Sequence, residues 1–237
     1  LKKLFTTTII LILSIPGFAQ RQISSDVTVS QVSGGQKSTT VKHVCCNASG
    51  RLVSCYSQPE QYYSVETPNG EAQVYIPKSN SVYTDHSRTA VSKDNLLYLF
   101  LIRGFSDMGL TQYGYVLKSQ TTEEGGILKK TFTSDKKDNV PVVEVVYKNF
   151  VPIYMAHRNA DGRYRGKQYF SNYTTLGSGS FPARTTEILY TSAKDSVVIR
   201  TTFSNLKVDS NDPLATFVVP SSAEPLVFKE TTTPKKK

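Results

Sequence analysis

The chain holds only three histidines and three cysteines among its 237 residues, and that scarcity narrows the chemistry open to it. Nucleophilic hydrolysis needs a nucleophile, a base and a group that orients the base. None of His43, His86 and His157 stands in a recognisable context of that kind. The run Gly177-Ser178-Gly179-Ser180 is not G-x-S-x-G and has no strand-turn-helix pattern around it, so it reads as a flexible loop. Glu123 and Glu124 are adjacent in a turn and point apart, which argues against the paired carboxylates of a glycosidase. Gly-rich phosphate loops, H-E-x-x-H and calcium loops are missing too. The expectation is a protein with no catalytic residues, no cofactor and no metal.

Long apolar runs are also lacking. After the first twenty residues no stretch approaches the roughly 20 apolar residues a spanning helix needs. Those twenty, LKKLFTTTIILILSIPGFAQ, set Lys2 and Lys3 ahead of an apolar run from Ile9 to Ile15, broken by Pro16 and followed by Gly17 and Ala19. This is the layout of a secretory signal peptide, with cleavage expected after Ala19 or Gln20. No Cys follows the small residues, so lipid attachment is not expected there. The reading is residues 1–20 as signal, 21–228 as one β domain and 229–237 as a basic disordered tail. The mature protein is expected in the periplasm or secreted from a bacterial envelope, and not transmembrane after signal cleavage.

Acidic residues are fewer than basic ones, for a formal charge of +9. Lys2 and Lys3 contribute two of those charges, and Lys235, Lys236 and Lys237 three. The body is thus mildly basic, with Lys and Arg scattered between strands rather than gathered on one element. That distribution argues against a nucleic-acid partner.

The three cysteines lie together in VKHVCCNASGRLVSCYS, which reads as two strands around a turn from Asn47 to Gly50. In an oxidising compartment the leading reading is a structural disulfide from Cys55 to Cys45 or Cys46, according to register, with one thiol left over. Three reduced thiols are the alternative. Zinc is the poorest reading, since adjacent Cys45 and Cys46 with His43 do not supply the usual ligand spacing.

Turn chemistry punctuates the rest. Pro68-Asn69-Gly70 between QYYSVET and EAQVYIP predicts a hairpin, because a type I′ turn needs positive φ at both central positions. A helix is expected over DNLLYLFLIRGF, capped by Asp94 or Ser92, apolar from Leu96 to Ile102 and ended by Gly104. Strands resume after Leu110 and continue to Val219, with turns at Glu123 to Gly126, Asn149, Asp161-Gly162 and Ala193 to Asp195. The fold class is mainly β: a curved antiparallel sheet or unclosed β-barrel with a helical plug.

Several of these segments together resemble the outer-membrane lipoprotein carrier (LolA-like) superfamily. They are the apparent signal peptide, TPNG followed by VYIPKSNSVYT, the helix DNLLYLFL, and the closing SVVIRTTFSNLKVDSNDPLATFVVP with Phe203, Asn205, Asp212, Phe217 and Pro220. The likeness spans roughly Val41 to Pro220. It implies an unclosed barrel whose concave face is covered by helices, with a cavity that holds acyl chains. A lipid or lipoprotein acyl chain is the partner so implied, and other envelope proteins are the alternative. By residue type alone Leu97, Phe100 and Leu101 read as ordinary core; the resemblance is what makes them the cavity candidates. Tyr113, Tyr115, Tyr154, Tyr164 and Tyr169 are expected to add apolar bodies with polar rims.

Overall fold

The computed structural model describes residues 22–87, 95–134, 142–192 and 195–226. The expected signal peptide, the basic tail, Ser92 and Asp94 lie outside these residues.

Turns divide the chain into two antiparallel meanders in which each strand pairs with its sequence neighbours. The first contains β1 (Gln22–Ser33), β2 (Gln36–Asn47), β3 (Leu52–Gln58), β4 (Tyr62–Glu66), β5 (Ala72–Ile76) and β6 (Ser81–Asp85). The second contains β7 (Tyr115–Glu123), β8 (Ile127–Ser134), β9 (Val142–Lys148), β10 (Val151–Arg158), β11 (Tyr164–Leu176), β12 (Gly179–Tyr190) and β13 (Ser196–Val208). A two-residue strand, β14 (Glu224–Pro225), adds in parallel to β6. The meanders meet at one seam, where β1 pairs with β13 from Ile23↔Val208 to Val32↔Val198, with a bulge between Ser24 and Asp26. The product is a single 14-stranded sheet with β14 and β7 at its open edges, the mainly β, unclosed architecture expected from the sequence.

Side-chain alternation gives this sheet two apolar faces. On the concave face Ile23, Val27, Val44, Cys46, Leu52, Phe181 and Phe203 form a core with Leu97 and Phe100 of the helix α1 (Leu96–Leu101). Phe181 is fully buried and meets Phe100 and Phe203 edge-on, with ring centroids 5.6 and 5.1 Å apart. A second cluster joins Leu99, Met108 and Leu110 to Phe132, Val143, Val145, Tyr147 and Phe170. The helix is shorter than the apolar run suggested. Asn95 caps it, its side chain accepting from the Leu97 N–H at 2.9 Å, and it ends before Arg103, which takes a left-handed φ of 56°. A helix of six residues is not stable alone, so packing of Leu97, Leu99 and Phe100 holds it.

Two expectations of the sequence are corrected in this region. The strand expected from Leu110 is a 3₁₀ turn over Leu110–Tyr113, and β7 starts only at Tyr115. The cause is local: Gly109 and Gly114 bracket the turn at positive φ, while the Asp107 carboxylate accepts from the Gly109 and Thr111 N–H groups. The expected Gly-Ser loop is a two-residue hairpin turn, Gly177-Ser178, with Leu176 paired to Gly179. A Cβ at Gly179 would lie 2.9 Å from the Phe100 ring, so glycine is what allows that ring to sit on the strand.

The cysteine pairing is corrected as well. β2 and β3 pair His43 with Cys55, Cys45 with Val53 and Cys46 with Leu52, two residues away from the nearest register that would set two cysteines opposite each other. Cys45 and Cys55 are diagonal neighbours on the outer face, whereas Cys46 points into the concave core. All three thiols are free. The register follows from the turn, where the Asn47 N–H bonds the Arg51 carbonyl and the Asn47 side chain accepts from the Ser49 and Arg51 N–H groups. Burial pushes the Cys45 thiol up to about 11 and Cys46 up to about 12.

The segment after β13 folds back over this outer face. Its 3₁₀ turn Pro213–Thr216 places Leu214 against Cys45, Val53 and Val65, and Phe217 stacks on Tyr63 at 4.3 Å. Arg51 donates to the carbonyls of Ala215 and Phe217. At the far side of the sheet, the β9–β10 turn is made by Asn149 and Phe150, both at positive φ (50° and 66°), and Phe150 is 94% exposed.

Candidate functional site

The helix fills only part of the hollow. Leu97 and Phe100 face the solid side, in the core with Phe181 and Phe203, and Leu101 packs against the same cluster. The open space lies on the other side of the helix, against Leu96 and Leu99. There Leu96, Leu99, Met108, Leu110 and Tyr113 face the strands across an inner lobe of about 480 Å³. The space continues past Tyr115, Met155, His157, Gln168 and Glu187 into an outer lobe of about 580 Å³, bounded by Asn159, Tyr164, Arg165, Lys167, Leu189 and Tyr190. Of the three residues expected to line the cavity, none borders either lobe; Phe100 lines a separate depression beside Arg103, Phe150 and Ser178.

Strand register builds the floor. Met155, Gln168 and Glu187 stand abreast on β10, β11 and β12, and His157, Gly166 and Leu189 form the next row. Gly166 presents no side chain between His157 and Leu189, which keeps that row low. A bulge sets Arg158 opposite Tyr164 and leaves Arg165 as the extra residue on β11. Of the expected tyrosines, Tyr113, Tyr115 and Tyr164 line the lobes. Tyr154 and Tyr169 pair with each other on the opposite face of the sheet from this floor, their rings 5.2 Å apart.

The floor is polar but carries little charge. Burial, aided by the charge of Arg165, pulls His157 below the usual histidine range and favours its neutral form. Burial also pushes the Glu187 carboxyl up. His157 and Ser178 are not brought together: Ser178 shares its depression with Val151, at the opposite end of β10 from His157.

His43 has a different setting, on the outer face. Its Nδ1 lies 2.6 Å from Asp26 Oδ1 and its Nε2 2.8 Å from Asp212 Oδ2. Asn205 donates to the second Asp26 oxygen at 2.7 Å. Ionised carboxylates only accept hydrogen bonds, so the two contacts are both satisfied when both ring nitrogens donate, which favours the imidazolium form. Burial lowers the His43 pKa, but the hydrogen bonds and charges of Asp212 and Asp26 outweigh it and the net shift is upward. With both nitrogens occupied, His43 has no lone pair with which to activate Cys55, its cross-strand neighbour. The arrangement is a clasp that ties the closing segment to β1 and β2. No group of His, Cys, Asp and Glu suited to a metal ion occurs among the described residues.

Met155, His157, Gln168 and Glu187 are the site residues that sequence reasoning missed. Their signal is the i, i+2 spacing within β10 and β11, which puts Met155 with His157 and Gly166 with Gln168 on one face.

The sequence matches no protein-family model and no curated protein. Its backbone is similar to that of a DUF1329 family protein from Desulfovibrio piger, with a TM-score of 0.57 at 14% identity over 85% of this chain and 91% of that one. A LolA superfamily protein from Nitrosomonas europaea gives 0.56 at 12% identity, over 82% and 89% of the two chains. A putative outer membrane lipoprotein-sorting protein domain from Vibrio parahaemolyticus gives 0.53 at 11% identity, over 81% and 87%. With its unclosed sheet and a short helix in the hollow, the chain has the LolA-like fold.

Proposed function

We propose that this protein is an exported, periplasmic binding protein that holds a lipid, an acylated protein or another apolar ligand between its sheet and its helix, without catalysis. The observation that carries the reading is the two-lobed cleft beside Leu96 and Leu99, apolar at its inner end and within the usual size range of ligand sites. Each acyl methylene transferred from water contributes about 0.8 kcal/mol, so a medium-length chain binds usefully without any polar contact. The LolA-like fold and the signal-like first twenty residues support an envelope setting. Among the described residues no helix is long and apolar enough to cross a membrane.

The test is native mass spectrometry of protein purified from its own envelope, with solvent extraction of whatever it carries. A stoichiometric acyl-chain ligand is expected. A ligand-free mass that also refuses added fatty acid and lipopeptide would reject the reading. It would favour a non-catalytic interaction protein that binds another envelope protein, a role to which the solid packing around Leu97 and Phe181 is equally suited.

A further inference from the structure

The residues common to both lobes are Tyr115, Met155, His157, Gln168 and Glu187, and they form the waist of the cleft. Gln168 lies directly opposite Glu187 on the β11–β12 ladder, and His157 stands one row on from Gln168 on the same face. None of these three polar side chains has a hydrogen-bond or ion-pair partner among the described residues. Other polar groups in the hollow are satisfied by the fold itself. The Tyr147 hydroxyl donates to the Ser106 carbonyl at 2.9 Å, and the Tyr173 hydroxyl donates to the Pro152 carbonyl. The waist is therefore a band of unused hydrogen-bonding capacity, with Leu96, Leu99, Met108 and Leu110 beyond it in the inner lobe.

Resting on the apolar-ligand reading above, we infer that the cleft takes an acyl chain joined to an uncharged head that carries hydroxyl or amide groups. The chain lies along Leu99 and Met108, and the head bonds at the waist to His157, Gln168 and Glu187. The Gln168 amide both donates and accepts, a neutral imidazole donates from one nitrogen and accepts at the other, and the Glu187 carboxyl accepts in either protonation state. A hydroxyl or an amide supplies both the donors and the acceptors that this set needs, whereas a simple ester supplies acceptors alone. An anionic head meets Glu187, the one carboxyl group lining either lobe, and is disfavoured by it. A cationic head can pair with Glu187 but offers no acceptor to the N–H groups of Gln168 and His157. Burial keeps the charge on this floor low, since it favours neutral His157 and pushes the Glu187 carboxyl up.

The experiment is a calorimetric titration of the purified protein with single-chain probes of equal chain length, each kept below its micelle concentration. Monocaprin carries hydroxyls, decanamide an amide, methyl decanoate neither, decanoate a negative charge and decylamine a positive one. Monocaprin and decanamide are expected to bind about tenfold more tightly than methyl decanoate, since each leaves fewer groups at the waist unpaired. Preference for monocaprin over decanamide, or the reverse, distinguishes an acylglycerol from an N-acyl source. In the Gln168→Met, Glu187→Met double variant, which roughly conserves side-chain volume, the gap is expected to close as the two polar probes weaken. Equal affinity for every head, tightest binding of decanoate or decylamine, or a gap that survives in the double variant overturns the polar-head reading and leaves acyl binding standing. If no probe binds, both readings fall.

Discussion

Replacing His43 by Gln removes the cation that Asp26 and Asp212 share, and the cost is expected to depend on pH in a defined direction. Hydrogen bonds to charged groups contribute about 1.5–3 kcal/mol each when well shielded. The Asp212 side chain is 11% exposed, but those of His43 and Asp26 are 37% and 45% exposed, so solvent screening reduces both arms. A total of about 2 kcal/mol follows, or a fall of about 4–8 °C in Tm for a protein of this size. The folded-state pKa of His43 is raised above 6.5, so its contribution is complete below that value and is lost as pH rises through the folded pKa. Asp26 and Asp212 are lowered from 3.8, so their contribution is present above that value and is lost as pH falls through their folded pKa values. Both conditions hold together between 3.8 and 6.5. Thermal melts of the native protein and His43→Gln should therefore differ most near pH 5 and least near pH 9. A gap that is flat across this range, or that widens toward alkaline pH, refutes the imidazolium clasp.

Two other perturbations test the geometry. Phe150→Gly should stabilise the protein by about 1 kcal/mol, because a left-handed φ burdens a phenylalanine relative to glycine by about that much and an almost fully exposed ring loses little packing when deleted; denaturant melts with an unchanged or lowered midpoint contradict the turn as described. Alkylation of the unfolded, unreduced protein should add three groups, with Cys55 modified first under native conditions ahead of the buried Cys45 and Cys46; one addition alone reveals a disulfide and overturns the register argument.

Much of the fold was legible because turns are local. Pro68-Asn69-Gly70, Asp161-Gly162 and Asn149 each declare a reversal within a few residues, and a series of reversals implies an antiparallel sheet. The helix was visible from Leu96 to Leu101, but its end was not, because Arg103 takes the conformation that Gly104 was expected to supply. Which side of the helix borders open space was not legible for a related reason. Leu97 and Leu99 are alike as residues, and only the distant strands decide that Leu97 meets Phe181 while Leu99 borders open space. The cysteine register turned on two residues of turn length, which composition does not encode. His43 offered no signal at all, since its partners Asp26 and Asp212 sit on a neighbouring strand and on the far end of the chain.

The β1–β13 seam also governs how such a chain assembles. Every other antiparallel pairing joins sequence neighbours, so both meanders can zip outward from their own turns on short loops. The seam cannot, because Ile23 must wait for Val208. Contacts of such large sequence separation form late and slow the overall rate. A chain released N-terminus first therefore holds β1 without one of its two partners until nearly all of the sheet has been delivered. During that interval Val27 lacks the cover that Phe203 later provides. The two halves thus come first and the junction last, and the seam becomes the step at which a helper protein, or a premature encounter with a second copy, has most effect.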